Sequence, residues 1–144
     1  MAVSPNSIIT PQNPYCNFAS LIAATALTSR APIVGVGGLT VLVPTQTNGI
    51  QINQLRVKAS GTTVSGSNAA MSIYVWIYNG TTATLFDEII LSTTSGSTTA
   101  NSFQTDVYYS GVILPPTHSL YVSESILSNA TLTGCVVHVF GGLL

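Results

Sequence analysis

The chain has 144 residues, the size of one ordinary domain, and can bury roughly two-thirds of the surface that its unfolded form exposes. Its 46% hydrophobic content and net charge of -1 exclude a disordered chain, yet charged residues make up only 5%, namely Arg30, Arg56, Lys58, Asp87, Glu88, Asp106 and Glu124. Three cations are too few to clasp a phosphate backbone, and no apolar run reaches the roughly 18 residues of a membrane-spanning helix, so neither nucleic acid nor membrane is expected as a direct partner.

The first 18 residues, "MAVSPNSIITPQNPYCNF", have no basic start and no apolar stretch of the secretory kind. Pro5, Pro11 and Pro14 withhold backbone donors, so this segment reads as an extended N-terminal arm, 1–18, preceding a single domain, 19–144. Its apolar residues Ile8, Ile9, Tyr15 and Phe18 need cover, which makes them candidates for contact with a neighbouring subunit. Helix signals are nearly absent thereafter, because apolar residues do not recur at helical spacing and Lys, Glu, Arg and Met are scarce. Alternating runs rich in Thr, Val, Ile and Tyr recur about every ten residues between Gly, Asn, Ser and Pro clusters, the pattern of an all-β antiparallel sandwich, jelly-roll-like. About eight strands are expected, at 20–29, 39–45, 50–60, 70–79, 83–92, 102–110, 118–126 and 131–140. Asn48-Gly49 and Asn79-Gly80 supply residues that tolerate positive φ and mark hairpin turns. The tracts "SGTTVSGSNAA" and "STTSGSTTANS" read as polar loops.

Chemistry has few places to reside in such a chain. Asp87 and Glu88 are neighbours in sequence, and on a strand neighbours point to opposite faces, so they do not form a catalytic pair unless a bulge alters the parity. Asp87 is expected beside Leu85, Ile89 and Leu91, Glu88 beside Phe86 and Ile90, each in a salt bridge to Arg56, Lys58 or Arg30. In "MSIYVWIYNG", Met71, Ile73, Val75 and Ile77 form a core face, while Tyr74, Trp76 and Tyr78 form an aromatic stripe on the other. That stripe suits either a subunit contact, where aromatics are enriched and charges depleted, or a platform for stacking sugars. His118 and His138 have no partner at metal-ligand spacing, Cys16 and Cys135 are too far apart to match a metal motif, and "GVGG" at 35–38 is followed by strand rather than helix. No metal, cofactor or catalytic residue is assigned.

A soluble monomer normally carries interspersed charge, so a nearly neutral surface of this kind reads as one that meets other protein. The stretch "LFDEIIL", the Ser/Thr spacer, "GVILPPTHSLYVSES" and the terminal "VVHVFGG" together resemble, over about 85–142, small β-sandwich virion proteins of tailed bacteriophages; Pro116-Thr117 stands where that pattern has a glycine. The resemblance implies a non-enzymatic capsid decoration or cement protein, made in the host cytoplasm and located in the virion. Its partners would be the major capsid protein or another virion protein, and further copies of itself as a trimer or dimer. A carbohydrate- or receptor-binding sandwich, in a tail or fibre component, is the alternative.

Overall fold

Runs of β-branched and aromatic residues become strands throughout the computed structural model, which describes residues 13–21, 38–60, 67–68, 70–95, 103–126 and 134–144. Ten strands are present and no helix occurs among the described residues: β1 (Asn13–Ser20), β2 (Thr40–Val43), β3 (Ile50–Ser60), β4 (Ser67–Asn68), β5 (Met71–Tyr78), β6 (Ala83–Leu91), β7 (Thr94–Ser95), β8 (Gln104–Leu114), β9 (Ser119–Glu124) and β10 (Gly134–Leu143). Two four-stranded antiparallel sheets have the orders β1-β10-β3-β8 and β2-β9-β5-β6, and β4 pairs with β7 within the two polar tracts.

Setting aside the two-residue strands, the first long strand pairs with the last, the second with the seventh, the third with the sixth and the fourth with the fifth. A two-stranded ribbon rolled onto itself gives this nesting, so the sandwich is a jelly roll. Alternate residues of both sheets fill the space between them, among them Leu42, Ile52, Leu55, Val57, Ile73, Val75, Leu120, Val122, Val137 and Val139. The Asn79-Gly80 turn closes the β5–β6 hairpin as expected, whereas Asn48-Gly49 carries the chain from β2 in one sheet to β3 in the other, so the hairpin expected there does not form. Gly49 has φ +88° and a Cβ there would lie 2.6 Å from the Leu114 carbonyl oxygen, while Asn79 Oδ1 accepts from the backbone N–H groups of Thr81 and Thr82 at 3.0 and 2.8 Å. At "VFGG" in β10 the register with β3 shifts between Phe140 and Gly141, and a Cβ on Gly141 would collide with the Gln51 carbonyl.

The N-terminal boundary differs from the sequence expectation. Asn13–Ser20 is an edge strand paired with β10 from Asn13↔Leu143 to Ser20↔Val136, so the proposed arm boundary at 18 falls inside a strand. Pro14 is accommodated because β1 has a neighbour on one side only. Tyr15 packs against its own core, and Asn17 Nδ2 donates to the Leu42 carbonyl of the facing sheet at 2.9 Å, which ties this strand into the sandwich. Ser20 ends β1, and the remainder of the strand expected at 20–29, beyond Leu21, lies outside the described residues, as do Ile8 and Ile9.

Candidate functional site

The Tyr74-Trp76-Tyr78 stripe is largely closed. Ile73, Val75 and Ile77 face the inter-sheet core as the alternation requires, but on the opposite side Trp76 is 0% exposed and Tyr74 8%. Trp76 Nε1 donates to Ser123 Oγ on β9 at 3.0 Å, and Tyr74 meets the Trp76 ring edge-on at 5.9 Å. Tyr78 alone of the three is partly open, bonded through its hydroxyl to the Gly80 carbonyl and edge-on to Tyr121. A buried indole has no face left for a sugar ring, so the stripe acts in this structure as a second layer of packing.

Asp87 and Glu88 point to opposite faces, Asp87 lying across from Val75 and Glu88 from Tyr74. A bulge in β6 skips Phe86, which puts Leu85 opposite Trp76 rather than on the face of Asp87. Phe86 instead stacks at a tilt on Tyr109 of β8, 5.4 Å away. The expected salt bridge of Asp87 to a cation is replaced by a bond between the sheets: Tyr109 donates its hydroxyl to Asp87 Oδ2 at 2.6 Å, and Asp87 Oδ1 accepts the Glu88 N–H at 2.8 Å. Burial first, and then the Asp87 carboxylate, push the Tyr109 phenol well above its ordinary range. Glu124 is fully buried on β9, and burial together with its carboxylate pushes the Cys135 thiol up to about 12. Cys135 is therefore an unreactive core thiol; Cys16 is exposed, and both are free.

The open aromatic surface lies on the other sheet. Phe18 on β1 is 62% exposed and its ring is 5.9 Å from His138 on β10, which in turn stacks on Phe140 at 6.3 Å and 15°. Across the ladder from His138 and Val136 stand Arg56 and Lys58 on β3, and beyond them Asp106 and Gln104 on β8. Asp106 is a hub: Arg56 Nε donates to Oδ1 at 2.7 Å and its Nη2 to Oδ2 at 3.2 Å, Gln54 donates to Oδ1 at 3.0 Å, and Gln104 to Oδ2 at 3.4 Å. The Arg56 bond holds the Asp106 carboxyl below its usual range. Tyr108, 74% exposed, stands next to this network opposite Gln54. A carboxylate accepting from three side chains has its lone pairs committed to orienting them, so the cluster presents a fixed polar surface flanked by aromatic rings.

Sequence reasoning singled out Phe18 but did not assemble this face, although alternation marks it. Gln54, Arg56 and Lys58 alternate with Leu55 and Val57, Asp106 and Tyr108 alternate with Val107 and Tyr109, and Cys16 and Phe18 alternate with Asn17. The missing information was the order of strands that sets these rows side by side. Among the described residues, no three His, Cys, Asp or Glu side chains gather to hold a metal.

No protein-family model matches the chain, and no curated protein matches it in sequence. Comparison with solved structures finds particles of infectious bursal disease virus. The Gx strain structure is 11% identical with a TM-score of 0.31 over 97% of this chain and 36% of the other. A T13 viral particle is 10% identical with a TM-score of 0.31 over 99% and 39%, and T=1 particles are 12% identical with a TM-score of 0.27 over 100% and 40%. The chain thus spans less than half the length of the chains it matches. TM-scores of this size establish no shared fold, and the functional reading rests on the chain's own residues.

Proposed function

We propose that the protein is a non-enzymatic structural component of a virus particle, bound to the shell as a homo-oligomer and stabilising it as a decoration or cement protein does. The observation that supports this reading most is the open face of the β1-β10-β3-β8 sheet, where Phe18 and Tyr108 meet solvent in a chain with 5% charged residues. Exposed aromatics and depleted charge characterise the centres of protein contacts. The eight-stranded jelly roll accords with this by analogy, since capsid and lectin domains both use it, although a fold alone selects no function. Bridging neighbouring subunits would stabilise a shell by mass action, because the bridged state alone binds the protein. Residues 1–12, with Ile8 and Ile9, would add a further contact on a neighbouring subunit. Particles purified on a density gradient from the source that encodes the chain are expected to contain its peptides at a fixed ratio to the major shell protein; particles without them would overturn the reading.

A second reading, a glycan-binding sandwich, is favoured by Tyr108 standing free beside the planar Gln54, Arg56, Asp106 and Gln104 groups. It moves the stacking ring from Trp76 to the opposite sheet. Glycan-array binding that Tyr108→Ala abolishes would select it.

A further inference from the structure

The outward residues of the β1-β10-β3-β8 sheet fall into rows that cross all four strands. One row runs Phe18, His138, Arg56, Asp106, and the next runs Ser20, Val136, Lys58, Gln104. Lys58 is the only lysine of the chain. Arg56, two residues away on the same face, is clamped by Asp106, whereas Lys58 has no carboxylate partner among the described residues, and its neighbours across the ladder, Val136 and Gln104, carry no charge. Exposed rings stand on the two edge strands of the same face: Phe18 on β1, 62% exposed, and Tyr108 on β8, 74% exposed.

We infer that this face docks on a different protein, one that sets an Asp or Glu carboxylate against Lys58 and apolar side chains over Phe18 and Tyr108. Desolvation supplies the first half of the argument. Exposed rings gain from being covered, but a cover that also takes the ammonium between them out of water is costly unless an anion arrives with it. The acids of the chain supply the second half. It has four acidic side chains, and each is engaged within its own subunit: Asp106 accepts from Arg56, Gln54 and Gln104, Asp87 accepts from Tyr109, and Glu88 and Glu124 also have interactions inside the chain. A second copy would have to break one of these interactions to reach Lys58, whereas a partner with surplus acid breaks none. The inference rests on the proposed virion reading and names the chemistry of the shell surface that this face meets: a carboxylate with apolar side chains beside it.

The experiment treats gradient-purified particles that contain the chain with a water-soluble carbodiimide, which joins an amine directly to a carboxylate in contact with it. Because Lys58 is the only lysine, every cross-link through a lysine of this chain starts there. Mass spectrometry should find the Lys58 peptide joined to an Asp or Glu of another virion protein. The full chain is then titrated onto particles produced without it. Lys58→Gln should bind roughly fivefold more weakly or worse, as expected when one partner of an interfacial ion pair is removed. Lys58→Arg should stay within about threefold of the parent because it keeps the charge, and it shows that the site tolerates substitution without loss of the fold. Raising the salt should weaken the parent and leave Lys58→Gln nearly unchanged. Ile90→Ser, on the opposite sheet and 77% exposed in the parent, should bind within about twofold of it, as for a surface site outside the contact. The inference is overturned if Lys58 is joined to a second copy of this chain, if particles that contain the chain give no Lys58 cross-link, or if Lys58→Gln binds as tightly as the parent; the virion reading survives all three. Particles without the chain would overturn both.

Discussion

Two aromatic rows run along opposite sheets of this sandwich, and their fates differ. Tyr74 and Trp76 stand on β5, an interior strand between β9 and β6, and both are buried although they point away from the main core. Phe18 and Tyr108 stand on β1 and β8, the two edges of the other sheet, and both are exposed. Residue type is nearly the same in both rows. Position within the sheet is one difference between the rows, since a side chain on an interior strand has neighbours on both flanks and one on an edge has them on one. Aromatic content along a strand therefore identifies neither a binding site nor a core until the strand's place is known.

The widest separation between the rows should appear on truncation. Trp76→Ala removes a fully buried indole and leaves Ser123 Oγ without its donor, and should cost about 3–5 kcal/mol in urea unfolding. A loss below about 1 kcal/mol would mean that Trp76 is not packed, and would return it to candidacy as a binding residue.

Next in size is an alkaline effect on the buried side of the comparison. The Cys135 thiol ordinarily ionises at 9.0 but is pushed up to about 12 in the fold. The unfolded chain therefore loses this proton first: stability is at its full value below pH 9 and falls as pH rises toward 12, by up to ~1.4 kcal/mol per pH unit. Tyr109, whose ordinary value is 10.0, adds to the loss above that pH because its folded value is also raised. Urea midpoints measured from pH 8 to pH 11 should decline, and Cys135→Ala should flatten the decline; a level profile would contradict the burial of both groups.

Tyr109→Phe tests the bond between the sheets. It should cost about 1.5–3 kcal/mol, the usual worth of a hydrogen bond to a charged group, since Asp87 keeps only the Glu88 N–H of the two donors described. The smallest effect belongs to the open row: Tyr108→Ala should change unfolding stability by less than about 0.5 kcal/mol, as for surface sites generally. A larger loss would show that Tyr108 supports its own subunit and would weaken its assignment to a contact surface.

The strands expected at 50–60, 70–79 and 83–92 match β3, β5 and β6 closely, because local alternation and the Asn-Gly turns define them without reference to the rest of the chain. β1 was misread because three prolines argue against central pairing but say nothing against an edge, where Pro14 in fact lies. The opposite orientations of Asp87 and Glu88 follow from a period of two, whereas the partner of Asp87 does not. Tyr109 is 22 positions away, and only the closing of one sheet over the other brings it within 2.6 Å.

The sequence by itself determined an all-β chain, the alternating faces of its strands, its turns and its poverty of charge, since these are properties of residues and their immediate neighbours. Tertiary structure alone decided which aromatic row is sealed, which carboxylate clamps Arg56, and that Arg56 and Lys58 share one sheet with Asp106 while Asp87, Glu88 and Glu124 share the other. The physical reason is that strand order in a rolled ribbon joins the first strand to the last and the second to the seventh. Rows of side chains that make a surface are thereby assembled from residues that periodicity, a local signal, cannot relate.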